Sequence, residues 1–340
     1  MLSATLPQQA DDGADALRSS LEQIVRHRWG TRTAITTMHR RPASNVGSYV
    51  CQVVSVRLAT GDAFELFLKD FGISQLPKDG LSQRRERERC VYSELLADAE
   101  LGTPEFYGSV WDESHGRFWL LLELVNGVRL DRHDVDSWAA AAGWLGRMQG
   151  YFAQHTDQLR ADTFLLQHDA EFFWSKAELA RRAVAQISPF RVGRLEEILS
   201  RYDRLVHVMV SQPRTLVHGS YRPENILVDR RSEALRVCPI DWELAGFGAP
   251  LYDLSFITDG ADPPTFDQLC EAYRRAALAG HLTLPSREEM ARVMTCFRLH
   301  KIIKSLSDSP GWPSPENKVS KLVDRAERLS HVVLGGIRDA

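Results

Sequence analysis

The sequence predicts an α+β fold, with a small antiparallel sheet in the first third of the chain and a mainly helical remainder. Three observations predict it. Between Thr33 and Val125, one helix apart, short apolar runs alternate with tight turns, the signature of hairpins. From Ser137 onward apolar residues recur at the spacing of one helix face. A single stretch, Thr215–Glu243, departs from that helical pattern. It carries short apolar runs around the polar loop His218-Gly219-Ser220-Tyr221-Arg222-Pro223-Glu224-Asn225 and ends on Asp241-Trp242-Glu243. Runs bounded by Gly, Pro and Asn read as buried strands, which would hold one Asn and one carboxylate together at a loop mouth.

Composition bounds the function. A chain of 340 residues suffices for one large or two medium domains with a sizeable core. The net charge of -3 gives no electrostatic case for nucleic acid or an anionic membrane surface as partner. Met1–Asp15 is polar and acidic, so no signal peptide is expected. The longest strongly apolar stretch, Phe118–Val125, is broken by Glu123 and is too short to span a bilayer. Cys51, Cys90, Cys238, Cys270 and Cys296 are odd in number and widely spaced, which suits a reducing cytoplasm better than a disulfide framework or a zinc site.

Taken in order, Asp15–Trp29 has Leu17, Leu21, Ile24 and Val25 at helical spacing. Strands are expected over Thr33–Met38, Tyr49–Leu58 and Ala63–Asp70, the last two joined by the turn Thr60-Gly61-Asp62. Arg40–Ser48 is polar and ends Asn45-Val46-Gly47-Ser48; an ordinary surface hairpin accounts for it as well as an anion-facing loop does. Lys69 ends its strand, where a charge in water is the commoner reading. Ser82–Ala99 reads as a helix with Glu88, Val91, Tyr92 and Leu95 at i, i+3, i+4 and i+7, so Glu88 shares the apolar face. A buried acid needs a partner, and Lys69 is the one expected. Glu86 and Glu94 lie off that face. Phe106–Val110 and Arg117–Val125 form a hairpin over Asp112–Gly116. Helices follow over Ser137–His155, Glu171–Ile187, Arg194–Val210, Pro250–Thr258, Phe266–Ala279, Ser286–Leu306 and Glu316–Leu334, with Ser309–Pro315 as a linker. Phe172-Phe173-Trp174 reads as a helix–helix contact ahead of a pocket wall.

The frame His218-Gly219-Ser220, then Asn225, then Ile240-Asp241-Trp242-Glu243 resembles the aminoglycoside phosphotransferase and choline kinase branch of the kinase-fold phosphotransferases. Arg222-Pro223-Glu224-Asn225 echoes the K-P-E-N of many protein kinases. Arg87-Glu88 with Val91-Tyr92 resembles the R-E-x-x-V-Y helix of small-molecule kinases, and Gly248–Leu254 matches the family's G-x-P-x-x-D-L, in which Asp253 would brace the loop from behind.

The resemblance implies a bilobal protein-kinase-like fold. Residues 1–125 would be a nucleotide-binding lobe, and residues 126–340 a lobe with the catalytic loop and the substrate-binding helices. It implies ATP (or GTP) and Mg²⁺ as cofactors, and a small-molecule hydroxyl acceptor, aminoglycoside- or sugar-like. Lys69 would hold the phosphates and Glu88 would fix Lys69. Gly47 and Ser48 would cover the phosphates, although no G-x-G-x-x-G is present, and Glu123 to Val125 would receive the base. Asn225 and Asp241 would hold the metal, Arg222 would neutralise the γ-phosphate, and His218 would order the loop. One departure matters most: the family's catalytic Asp is Ser220 here. A serine orients a hydroxyl but cannot take its proton, and general-base help is worth roughly 10²–10⁴ in rate. Two functions therefore remain open, a phosphotransferase with an atypical loop and a pseudokinase that binds nucleotide or ligand without efficient transfer.

Overall fold

The computed structural model describes residues 12–30, 33–43, 48–74, 78–231 and 235–336. The chain divides into two compact units, Met1–Gly127 and Val128–Ala340.

The first unit contains α1 (Asp12–Trp29), β1 (Ile35–Pro42), β2 (Tyr49–Leu58), β3 (Ala63–Ser74), α2 (Leu81–Cys90), β4 (Phe106–Asp112) and β5 (Arg117–Glu123). The strands form one antiparallel sheet in the order β1-β2-β3-β5-β4. Leu17, Leu21 and Val25 of α1 pack on one face of it with Val54, Val56, Leu66, Leu68, Trp119 and Leu121. Ala43, Cys51 and Val53 bury a smaller patch. β1 runs past the expected Met38: Arg40 and Arg41 pair with Val54 and Val53. It is an edge strand, so polar side chains there stand in water at little cost. Asn45, Val46 and Gly47 lie outside the described residues.

The helix expected over Ser82–Ala99 is shorter. α2 ends at Cys90 and one π turn follows over Val91–Leu95, where the Leu96 N–H reaches back to the Val91 carbonyl at 2.9 Å. Glu88, Val91, Tyr92 and Leu95 are all buried, so the apolar face is the one expected. β5 likewise stops at Glu123, short of Val125.

The second unit contains β6 (Val128–Arg129), α3 (Val135–Phe152), α4 (Thr156–Ala161), β7 (Leu166–Gln167), α5 (Ala170–Ile187), α6 (Val192–Leu199) and α7 (Tyr202–Val210). There follow β8 (Thr215–Val217), β9 (Ile226–Asp229), β10 (Arg236–Pro239), β11 (Gly246–Gly248), α8 (Leu251–Ile257), α9 (Pro263–Ala279), α10 (Arg287–Ser307) and α11 (Pro315–Gly336). Side-chain caps start four of these helices: Asp134, Asp169, Asp262 and Ser286 each accept the N–H three residues on. The single helix expected over Arg194–Val210 is two, broken at Ser200-Arg201. There the Ser200 hydroxyl donates to the Glu197 carbonyl at 2.7 Å and competes with the helical ladder.

The strands of Thr215–Glu243 do not form one ladder. β9 pairs with β10 on one side and β6 on the other, whereas β8 pairs with β11, which also pairs with β7. The expectation for Phe172-Phe173-Trp174 holds as packing. Phe173 is buried against Phe297 and His300, with ring centroids 6.3 and 4.7 Å away, and Trp174 donates to Asp203 at 3.1 Å. All five cysteines are buried free thiols. Among the described residues no helix is long and apolar enough to cross a membrane.

Candidate active site

In the first unit the site residues gather on β3 and α2. Antiparallel pairing sets Lys69 between Cys51 and Leu120 in the middle of the sheet. Its Nζ lies 2.7 and 2.9 Å from the two carboxylate oxygens of Glu88, and the residues are 6% and 1% exposed. The ammonium also stands 5.0 and 5.1 Å from the ring centroids of Tyr49 and Phe71. Lys69 is thus no strand-end charge in water, and a sheet residue is joined to a helix residue by a buried bidentate ion pair. Glu123 closes β5, its N–H donating to the Glu105 carbonyl at 2.9 Å and its carboxylate accepting the Glu105 N–H at 3.2 Å. Val125 follows in irregular backbone, and Ser48 stands one residue before β2. Gly47 lies outside the described residues.

In the second unit the loop after β8 is built around Asp253 of α8. Its carboxylate accepts the N–H of His218 at 2.6 Å and of Gly219 at 3.0 Å, the brace expected of it. Burial pushes this carboxyl up to about 7, while the two N–H donors and then Lys301 pull the other way. Gly219 has φ +79°, and a Cβ there would lie 1.9 Å from the Leu244 carbonyl oxygen. The turn therefore accepts only glycine.

His218 is fully buried, with Nε2 3.0 Å from the Ile240 carbonyl oxygen and a ring 4.4 Å from that of Trp242. A carbonyl only accepts, so Nε2 carries the proton and Nδ1 is the acceptor facing Ser220, 3.4 Å from both its N and its Oγ. The Asn225 amide nitrogen donates to the Ser220 carbonyl at 3.1 Å and to Ser220 Oγ at 3.2 Å.

Strand pairing brings the Asn and the carboxylate together. Ile226 pairs with Pro239, and the Ile240 N–H donates to the Asn225 carbonyl at 2.9 Å, which leaves Asn225 and Asp241 at the paired ends of β9 and β10. Asp241 has φ +68°, a left-handed conformation that Asp tolerates better than most residues and that recurs at functional sites. With its nitrogen engaged by Ser220, Asn225 keeps an amide oxygen to offer. That oxygen and the Asp241 carboxylate are hard donors of the kind Mg²⁺ takes, so the residues present fit the ion. Arg222 and Glu224 are exposed, and the Arg222 guanidinium carbon stands 5.9 Å from the Phe256 ring centroid.

Gln149 of α3 is a residue of this region to which the sequence assigned no role. It is fully buried, donates to the Pro250 carbonyl at 3.1 Å, accepts the Tyr273 hydroxyl at 2.7 Å, and its own carbonyl accepts the Thr215 hydroxyl at 2.9 Å. Tyr221 behind the loop donates to the Ala141 carbonyl at 2.9 Å and stacks on Trp144, with centroids 6.1 Å apart. A signal was available for Gln149: a lone amide four residues after Leu145, on an otherwise apolar stripe.

A five-stranded antiparallel unit, a mainly helical unit and this loop define a protein-kinase-like fold. Solved structures agree on that fold. A microcompartment-associated aminopropanol kinase is 17% identical with a TM-score of 0.58, over 89% of this chain and 94% of that one. Macrolide 2'-phosphotransferase MphH from Brachybacterium faecium is 17% identical with a TM-score of 0.55, over 90% and 97%. Aminoglycoside 2'-phosphotransferase-IIIa, solved with GDP, is 14% identical with a TM-score of 0.53, over 92% and 98%. Residues 52–291 match the phosphotransferase enzyme family (APH), and the chain belongs to that family. No curated protein matches it in sequence.

Proposed function

We propose that the chain is a Mg²⁺-dependent phosphotransferase that moves the γ-phosphoryl of ATP to a hydroxyl of a small, sugar-like molecule. The observation that carries this reading is the buried Lys69–Glu88 ion pair. Two charges taken out of water are a weak source of stability, so a buried pair joining the sheet centre to α2 favours a role in holding phosphates. Membership of the phosphotransferase family supports the same reaction class.

Phosphoryl transfer asks mainly for positioning and charge neutralisation. In this reading Lys69, fixed by Glu88, holds the α- and β-phosphates, and backbone from Glu123 to Val125 receives the base. Asn225 and Asp241 would hold Mg²⁺, which when bound neutralises charge on the phosphate oxygens. Arg222, exposed on the loop, meets the γ-phosphate. The acceptor oxygen bonds to the γ-phosphorus as the bridging bond to ADP breaks, and the hydroxyl proton leaves to water. Ser220 Oγ, already tied to Asn225 and turned on His218, keeps a lone pair with which to orient that hydroxyl. No carboxylate takes the proton at this position, which predicts a rate roughly 10²–10⁴ below that of a site with one, or about 3–5 kcal/mol. The loose transition state tolerates a late proton. The five buried thiols favour a cytoplasmic setting.

The test is turnover of ATP, and of GTP beside it, by wild type, Ser220→Asp and Ser220→Ala across a panel of sugars and alcohols. Mg–ATP thermal shifts are measured alongside. A handicapped kinase predicts faster transfer in Ser220→Asp with ATP affinity unchanged. Asp241→Ala should abolish the metal-dependent part of the shift. Three inactive proteins that still bind Mg–ATP would instead favour the pseudokinase, the reading that Ser220 itself supports.

A further inference from the structure

Two helices of the second unit, α10 and α5, gather cations within the field of Arg222 of the 218–225 loop. Lys301 and Lys304, one turn apart on α10, are half-buried, as is Lys176 of α5. Lys301 Nζ donates to the Ser255 carbonyl of α8 at 2.7 Å and lies 3.9 Å over the Phe256 ring, the ring that Arg222 approaches to 5.9 Å. The opposing carboxylates are Asp253, on which the Lys301 charge acts against burial, Asp259 and Asp308. Asp259 is shared by Arg298 and Arg325, at 3.8 and 2.7 Å, and Asp308 meets Lys304 at 3.4 Å. Among the described residues no carboxylate oxygen lies within 4.0 Å of the side-chain nitrogens of Lys301, Lys176 or Arg222.

Burial and neighbouring charge act on these ammonium groups together. Burial first, then the Arg298, Arg222 and Arg325 cations, push the Lys301 ammonium down to about 7 against the pull of Asp259. Lys304 is lowered by burial and then by Arg222 and Lys176, with Asp308 opposing. An ammonium partly out of water, with one carbonyl for a partner and cations around it, is costly until an anion joins. An incoming ammonium group would add to the repulsion.

We propose that the acceptor carries an anionic group, a carboxylate or a phosphate, received by Lys301, Lys304 and Arg222, and that ammonium-bearing acceptors are rejected. This rests on the phosphotransfer reading and names the acceptor class of the same site. Arg222 then stands where the acceptor's anion and the γ-phosphate both draw on it. The guanidinium fork suits either group.

Four probes with one three-carbon diol skeleton test the proposal: glycerol, 3-aminopropane-1,2-diol, glycerate and glycerol 3-phosphate. Binding to the full chain is measured by calorimetry without nucleotide, and ADP release is measured separately with Mg–ATP. The expected result is that glycerate or glycerol 3-phosphate binds at least about tenfold more tightly than the neutral and cationic diols. Which anion wins tells carboxylate from phosphate. Lys301→Gln, whose amide can still donate to the Ser255 carbonyl, should erase that preference. Lys304→Gln should weaken it, and carries the test if Lys301→Gln does not fold. Equal binding of all four probes, a preference for the aminodiol, or an anion preference unchanged in both variants would overturn the proposal. Anion binding without ADP release would sink phosphotransfer and leave the anion site, while turnover of the aminodiol would do the reverse.

Discussion

Gly219→Ala is the sharpest probe of how the loop is held. Two contributions can be worked separately. The backbone sits at φ +79°, where an L side chain costs roughly 1–2 kcal/mol. The new Cβ would also lie 1.9 Å from the Leu244 carbonyl oxygen and 2.7 Å from its carbon, so backbone must shift. Neither side yields easily. The Gly219 N–H is bound to Asp253, and Leu244 lies inside the turn closed by the Ala245 N–H on the Trp242 carbonyl at 2.9 Å. Forced shifts of this kind cost about 1–3 kcal/mol, giving a total of about 2–5 kcal/mol. For a unit of this size that is a fall in Tm of roughly 4–20 °C. Gly260 supplies a matched control in the same unit, with φ +81° and nothing within 4 Å of a built Cβ. Gly260→Ala should carry the backbone cost alone, roughly 1–2 kcal/mol. The assay is calorimetric unfolding of both variants beside wild type, with ATP turnover read on the same samples. Gly219→Ala falling no further than Gly260→Ala would refute the clash, and full activity in it would refute the dependence of Ser220 on this turn.

The ion pair and the brace give two more tests. Lys69→Met should lose about 3–5 kcal/mol by removing the ammonium that faces the buried Glu88 carboxylate, and Lys69→Met with Glu88→Leu should regain most of that. Both should fail to bind ATP in a thermal-shift titration; a double variant that binds it normally would make the pair purely structural. For Asp253, the folded carboxyl near 7 holds a proton that the unfolded chain releases near 3.8. Its stabilising contribution is therefore complete below about pH 4 and is lost as pH rises through about 7, by at most about 1.4 kcal/mol per pH unit. Urea unfolding across that window should show the slope in wild type and a flatter one in Asp253→Asn; equal slopes would sink the assignment.

The sequence by itself determined what local chemistry and short spacing dictate. Glu88 is legible as a buried acid because Val91, Tyr92 and Leu95 follow it at helical intervals, and a buried acid calls for a cation such as Lys69. The loop His218–Asn225 and the carboxylate at Asp241 are legible because apolar runs and breakers bound them within one short segment. Element ends were less legible. The π turn after Cys90 and the break at Ser200 turn on single hydrogen bonds that periodicity does not register.

Only the tertiary structure decided which distant parts meet. β8 and β9 belong to different sheets although one loop joins them, because their partners β11 and β10 come later in the chain. The need for glycine at 219 comes from a carbonyl at residue 244. The buried role of Gln149 comes from partners on three other segments. The cations of α10 acquire a function to test only when Phe256 of α8 comes within reach of both Lys301 and Arg222. Periodicity reports which face of an element is buried, not what covers it. That choice belongs to packing, where contacts far apart in sequence are selected together.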